Sequence, residues 1–140
     1  MPAALVVDDQ RNMRMTTALL LKSAGFKTWE AGGAAEALEI LEHNSIDVVL
    51  TDVRMEPIDG LTLVVEALKI SPRTQVVVMT AYADIELAVQ ALKRGAFDFI
   101  TKPWDNVRLI ATCRDALQRA QPALGGDPAA AVVAEPLRSL

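Results

Sequence analysis

Cysteine is nearly absent from this sequence: Cys113 stands alone in 140 residues. A single thiol excludes an internal disulfide and a zinc site built on cysteines. Long apolar runs are missing too. Stretches such as Ala3–Val7 and Ala18–Leu21 stop after four or five residues, whereas a bilayer-spanning helix needs about 20. Positive charge is not in excess. The formal net charge of −4 argues against a nucleic-acid surface. The N-terminus has no basic segment and runs directly into a strand pattern, so no signal peptide is expected and the chain reads as cytoplasmic. What is present is 51% hydrophobic and 23% charged, enough to bury a core and too apolar for a wholly disordered chain. The length allows one domain and a tail.

Short apolar runs alternate with helical patterns. Strands are predicted at Ala4–Val7, Phe26–Trp29, Ile46–Thr51, Gln75–Met79 and Phe97–Ile100. Helices are predicted at Gln10–Ala24, Gly33–His43, Gly60–Ile70, Asp84–Arg94 and Asp105–Arg119, with Gly25 and Gly95 as stops. Apolar spacing of i, i+3, i+4, i+7 assigns buried faces. They are Ala34, Ala37, Leu38 and Leu41 in the second helix; Leu61, Val64, Val65 and Leu68 in the third; Ile85, Ala88, Val89 and Leu92 in the fourth. Leu87 and Ala91 then fall on the outer side of the fourth helix. The fifth helix buries Leu109, Ile110, Cys113, Ala116 and Leu117.

Strict strand–helix alternation implies a parallel sheet covered on both faces. The first, third and fourth strands are nearly all apolar, as central strands are. The second and fifth carry charges, as edge strands do. With right-handed crossovers this selects a doubly wound α/β fold, (βα)5, of sheet order 2-1-3-4-5. Residues 1–120 form this domain. Residues 121–140 hold three prolines, two glycines and five alanines and read as a linker or disordered tail toward an output domain.

In an open α/β sheet, ligands bind beyond the carboxyl ends of the strands where strand order reverses. The strand ends here read Asp8-Asp9, Thr51-Asp52, Thr80-Ala81 and Thr101-Lys102-Pro103. Three carboxylates, a hydroxyl and an ammonium should therefore share one rim. Three carboxylates repel one another unless a cation intervenes. An all-oxygen set without histidine or cysteine favours Mg2+. Lys102 and Thr80 then suit phosphoryl oxygens, and a carboxylate placed among them can itself attack phosphorus. Asp52, at the end of the central strand, is the candidate nucleophile. Each signal is weak alone; their order along successive strand ends makes them specific together.

At these residues the sequence resembles the receiver domain of bacterial two-component response regulators, over about residues 3–120. The pieces are Val7-Asp8-Asp9, Thr51-Asp52-Val53-Arg54-Met55 running to Asp59-Gly60, Met79-Thr80-Ala81 and Phe99-Ile100-Thr101-Lys102-Pro103. The resemblance implies the flavodoxin-like fold and a set of roles. Asp52 accepts a phosphoryl group from a sensor histidine kinase. Asp9 binds Mg2+ directly, Asp8 largely through water, and the backbone carbonyl of Arg54 completes the protein's share. Thr80 and Lys102 hold phosphoryl oxygens, and Lys102–Pro103 is cis. Thr80 and Phe99 form the switch, and Arg54 and Tyr82 tune hydrolysis of the phosphate. The resemblance also implies a possible homodimer through the fourth helix, fifth strand and fifth helix, with an output domain beyond residue 140. No direct nucleic-acid contact and no membrane are expected of the domain itself. The resemblance further implies a signalling phosphoacceptor that assists its own phosphorylation and dephosphorylation, not a conventional enzyme.

One departure is Glu56, which stands where the family often has proline, with Pro57 following; its side chain is expected in solvent. Stretches such as Ala88–Phe99 and Lys102–Asn106 resemble receivers of sigma-54-dependent transcriptional activators. Two other classes fit less well. An aspartate-nucleophile phosphatase would need a second acid where Arg54 stands. A flavodoxin-type carrier would need a phosphate-cradling loop where Asp8-Asp9 would repel the phosphate. His43 reads as a solvated helix-end residue and Cys113 as a core residue.

Overall fold

The computed structural model describes residues 1–120; the expected linker, 121–140, lies outside them. The elements run β1 (Ala3–Val7), α1 (Arg11–Ser23), β2 (Lys27–Ala31), α2 (Ala34–His43), β3 (Val48–Asp52), α3 (Gly60–Ile70), β4 (Gln75–Ala81), a 3-10 turn (Tyr82–Asp84), α4 (Ile85–Lys93), β5 (Asp98–Lys102) and α5 (Asn106–Ala120). All strand pairs are parallel and the order is β2-β1-β3-β4-β5, the flavodoxin-like doubly wound arrangement expected from the alternation.

Burial explains the order. Every residue of β1 is buried, as are the first four of β3, while β2 exposes Lys27 and Glu30 and buries only Ala31, and β5 buries only Ile100. Alternate strand residues feed two cores. Leu5, Val7, Val49, Val76 and Val78 pack with Ala37 and Leu41 of α2, Leu63 and Ala67 of α3, and Ala88 and Ala91 of α4. Val6, Leu50, Val77, Met79 and Ile100 pack on the other face with Leu21 of α1 and Leu109 and Cys113 of α5. Each fully buried Val or Leu contributes about 1.5–3 kcal/mol, so a sheet this apolar needs no metal or disulfide to fold. Gly25 (φ 97°) and Gly95 (φ 115°) end α1 and α4 in the left-handed region, as stops should.

Leu38 of α2 and Ile110 and Leu117 of α5 are only partly buried, and two helix faces differ further from expectation. α3 buries Leu63, Val64 and Ala67, leaving Leu61, Val65 and Leu68 only partly covered. α4 buries Ala88 and Ala91, half-buries Leu87, and exposes Val89 (41%) and Leu92 (37%). Both helices are apolar on more than one side, so spacing alone does not set their phase. In α4 the small residues face the sheet, where the backbone comes closest. The strands are also displaced along the chain: β4 and β5 each run two residues further, to Ala81 and Lys102, and β2 starts one later. A 3-10 turn at Tyr82–Asp84 precedes α4, which runs from Ile85 to Lys93, one residue shorter at each end than the expected fourth helix.

Candidate functional site

Parallel register sets the site. Val7 pairs with Thr51, Asp52 with Met79, Thr80 with Thr101 and Ala81 with Lys102. The residues that follow or end these strands therefore reach one edge of the sheet together. Asp8, Asp9 and Asp52 each offer a carboxylate oxygen, and these atoms lie within 4.8 Å of one another. Lys102 Nζ donates to Asp52 Oδ2 at 2.8 Å and lies 3.8 Å from Asp8 Oδ2.

The two adjacent acids are in different surroundings. Asp9 is exposed and Asp8 is fully buried. Three bonds hold Asp8 in place: its N–H donates to the Ala31 carbonyl (3.1 Å), its Oδ1 accepts from the Gln10 N–H (2.9 Å), and its carbonyl accepts from Arg14 Nη1 (2.9 Å). Oδ2 alone has no hydrogen-bond partner. Burial pushes the Asp8 carboxyl above the usual carboxylate range. The Gln10 amide and Lys102 oppose that rise, and Asp52 and Asp9 add to it. One lysine thus stands against three crowded carboxylates, one of them with an unanswered, buried oxygen. An all-oxygen donor set with this deficit of positive charge fits a divalent cation.

The loop after β3 shapes the other wall. Gly60 packs so tightly that a Cβ there would lie 2.5 Å from the Asp52 carbonyl oxygen. Its N–H donates to the Val53 carbonyl at 2.9 Å, and Asp59 caps α3 by accepting from the Thr62 N–H at 2.9 Å. Only glycine fits there, so the Asp52–Gly60 loop is held close under Asp52. Lys102–Pro103 is cis, as the resemblance implied, and Glu56–Pro57 is cis as well. Glu56 is exposed and lines an open cleft of about 600 Å³ with Asp9, Arg54, Asp59 and Leu87.

Thr80 is buried at the same rim, and its hydroxyl donates at 3.2 Å toward the carbonyls of Ala81 and Asp84. Phe99 is partly buried against the α2–α3–α4 core. Tyr82 is 80% exposed at the start of the 3-10 turn. The Arg54 N–H donates to Asp52 Oδ1 at 3.1 Å. Its guanidinium pairs with Asp84, which pulls the Asp84 carboxyl below its ordinary range and raises Arg54 in turn. His43 lies at the opposite end of α2 from the rim, with its ring bonded to the Glu39 carbonyl.

Two residues of this neighbourhood had no signal in the sequence. Arg14 joins the Asp8 carbonyl to Glu30 (3.1 Å), and Asp84 takes Arg54 rather than capping α4.

The sequence profile of the response regulator receiver domain matches residues 4–114. The chain belongs to the response regulator receiver domain family. It is 37% identical over 119 residues to the transcriptional regulatory protein GlrR of Escherichia coli, covering 85% of this chain and 27% of that protein. It is 40% identical to the regulatory protein AtoC of the same organism, covering 81% of this chain and 25% of AtoC. The receiver thus spans about a quarter of the length of these relatives. Among solved structures it superposes on the receiver domain of NtrX from Brucella abortus with a TM-score of 0.79 and 37% identity, covering 82% of this chain and 98% of that one. A receiver domain protein from Clostridium thermocellum gives 0.81 at 32% identity, covering 85% and 96%. Among the described residues of the receiver, no helix is long and apolar enough to cross a membrane.

Proposed function

We propose that this receiver takes a phosphoryl group on Asp52 in a Mg2+-dependent reaction and passes the change to a transcriptional output. The observation that carries the reading is the unanswered Asp8 Oδ2 beside two further carboxylates, with Lys102 already on the acceptor. An Asp52 carboxylate oxygen attacks phosphorus as the bond to a phosphohistidine nitrogen of a sensor kinase breaks, and the imidazole leaves. Mg2+, when bound, offsets the charge of the carboxylates and of the phosphoryl oxygens. Asp9 and Asp52 would hold it directly, Asp8 largely through water, and the Arg54 carbonyl would add a further oxygen. Lys102 moves from the Asp52 carboxylate to a phosphoryl oxygen, and Thr80 turns its hydroxyl to another. Phe99 follows Thr80 inward by packing alone, because it has no hydroxyl. Arg54 and Tyr82, beside the mouth, set how readily water reaches the phosphate and so how long it lasts.

The likeness to transcriptional regulators several times longer supports a place at the head of a longer regulator, of the sigma-54-dependent kind. The domain ends near residue 120, and residues 121–140 serve as the connection. Exposed Val89, Leu92 and Val107 support a homodimer through α4, β5 and α5. This form of signalling belongs in the cytoplasm.

A small phosphodonor such as acetyl phosphate with Mg2+ tests the reading. Intact mass should gain one phosphoryl group, and neither Asp52→Asn nor omission of Mg2+ should allow it. Equal labelling of Asp52→Asn would remove the assigned nucleophile.

A further inference from the structure

Across the mouth of the site the Arg54 guanidinium grips the Asp84 carboxylate with two hydrogen bonds, Nε to Oδ2 at 2.7 Å and Nη2 to Oδ1 at 2.9 Å. Both residues are tied to the reacting groups by their backbones. The Arg54 N–H donates to Asp52 Oδ1 at 3.1 Å, and the Asp84 carbonyl accepts from Thr80 Oγ1 at 3.2 Å. A continuous chain of polar contacts therefore runs Asp52, Arg54, Asp84, Thr80. Thr80 is fully buried, so its hydroxyl depends on partners within the protein. The short 3-10 turn that ends at Asp84 carries one of its two acceptors, the Asp84 carbonyl, the other being the Ala81 carbonyl at 3.2 Å, and the Asp84 side chain is held to the β3–α3 loop by Arg54.

We propose that the Arg54–Asp84 pair is a latch that keeps Thr80 bonded to the 3-10 turn, and that a phosphoryl group on Asp52 opens it. The inference rests on the phosphoacceptor reading. Asp84 is in this sense a positioning residue: it touches neither the acceptor nor the phosphate and acts through Arg54 and Thr80. Two changes at Asp52 work against the latch together. A phosphoryl dianion beside Arg54 competes with Asp84 for the guanidinium, whose planar fork suits phosphate as well as carboxylate. The same group offers Thr80 a charged acceptor in place of a neutral carbonyl. Losing either bond frees the turn that holds the other, so the releases reinforce one another. An exposed ion pair biases such a balance by about two- to fivefold. That is enough to hold the turn at rest and small enough for one phosphoryl group to overcome.

The test follows the Thr80 methyl group by NMR in the full chain, with and without acetyl phosphate and Mg2+. Asp84→Asn keeps the shape and removes the charge. Its Thr80 signal, without phosphate, should move toward the phosphorylated wild-type position, as for about a two- to fivefold rise in the released state. Arg54→Ala should move the signal as far, the double variant no farther, and Asp84→Glu should restore most of the wild-type position. Thr17, buried in α1 with its hydroxyl on the Met13 carbonyl, should stay in place throughout and reports an intact fold. If the wild-type Thr80 signal moves on phosphorylation but is unmoved in Asp84→Asn and Arg54→Ala, the latch is wrong. If the two single shifts add in the double variant, the residues do not act as one pair and the latch is equally wrong. If the wild type gains no phosphoryl group at all, the phosphoacceptor reading fails instead.

Discussion

The two ends of this sheet treat polar groups in opposite ways. At the amino end they are answered from within. Asp47 Oδ2 accepts the Ala3 N–H at 2.8 Å. Thr74 Oγ1 donates to the Ile46 carbonyl at 2.6 Å and shares a 2.7 Å hydrogen bond with Ser71. At the carboxyl end three carboxylates lie within 4.8 Å of one another beside one lysine, and the buried Asp8 Oδ2 has no hydrogen-bond partner, with Lys102 Nζ 3.8 Å away. The same parallel strands thus supply a closed network at one edge and an unmet demand for positive charge at the other. Unmet demand of this kind costs stability, and such costs cluster at functional sites.

Substitutions at the two ends should therefore differ in sign. The largest effects belong to metal affinity. Asp8→Asn should weaken Mg2+ binding by about 10- to 100-fold, the range for a group acting through the outer shell, and Asp9→Ala should weaken it more. Calorimetric titration checks both, and equal losses would end the distinction between direct and water-mediated contact. Stability comes next. Thr74→Val at the amino end should cost about 1–3 kcal/mol by leaving the Ile46 carbonyl and Ser71 unpaired. Asp8→Asn should instead stabilise the ion-free protein, by about 1–3 kcal/mol, and urea denaturation reads both signs. A destabilised Asp8→Asn would break the comparison.

The pH dependence sharpens the comparison. Burial raises the Asp8 carboxyl above its unfolded value, so its neutral form is the one the fold favours. Its contribution is fully present below the ordinary aspartate range and is lost as pH rises through the raised value. The advantage of Asp8→Asn over wild type should therefore shrink on acidification, while wild-type Mg2+ affinity falls. An advantage that does not change with pH would contradict this. The smallest effect is at Cys113, whose thiol burial pushes up to about 12. A neutral thiol reagent should label it only after denaturation, and rapid labelling of the native protein would refute its place in the core.

Much of this was legible because single-residue properties carried it. Apolar runs, charged edge strands and the glycines after α1 and α4 were enough for the sheet order. Parallel register then brought Asp8, Asp52, Thr80 and Lys102 to one rim. The helix phases were not legible in α3 and α4, because both are apolar on several sides and the sheet selects the small residues. Arg14 and Asp84 were not legible either. Each looks like an ordinary charged residue near a helix start, and their partners Glu30 and Arg54 lie 16 and 30 positions away. Asp84 opens the expected fourth helix, yet its carboxylate caps nothing and reaches Arg54 instead.

The most direct test of the unmet charge at the rim is thermal melting of wild type and Asp8→Asn with increasing Mg2+. Without the ion, Asp8→Asn should melt at the higher temperature. As Mg2+ is added the wild type should gain stability steeply and the variant little, so that the difference narrows. Two parallel responses to Mg2+, or none in either protein, would contradict a rim built to receive a cation.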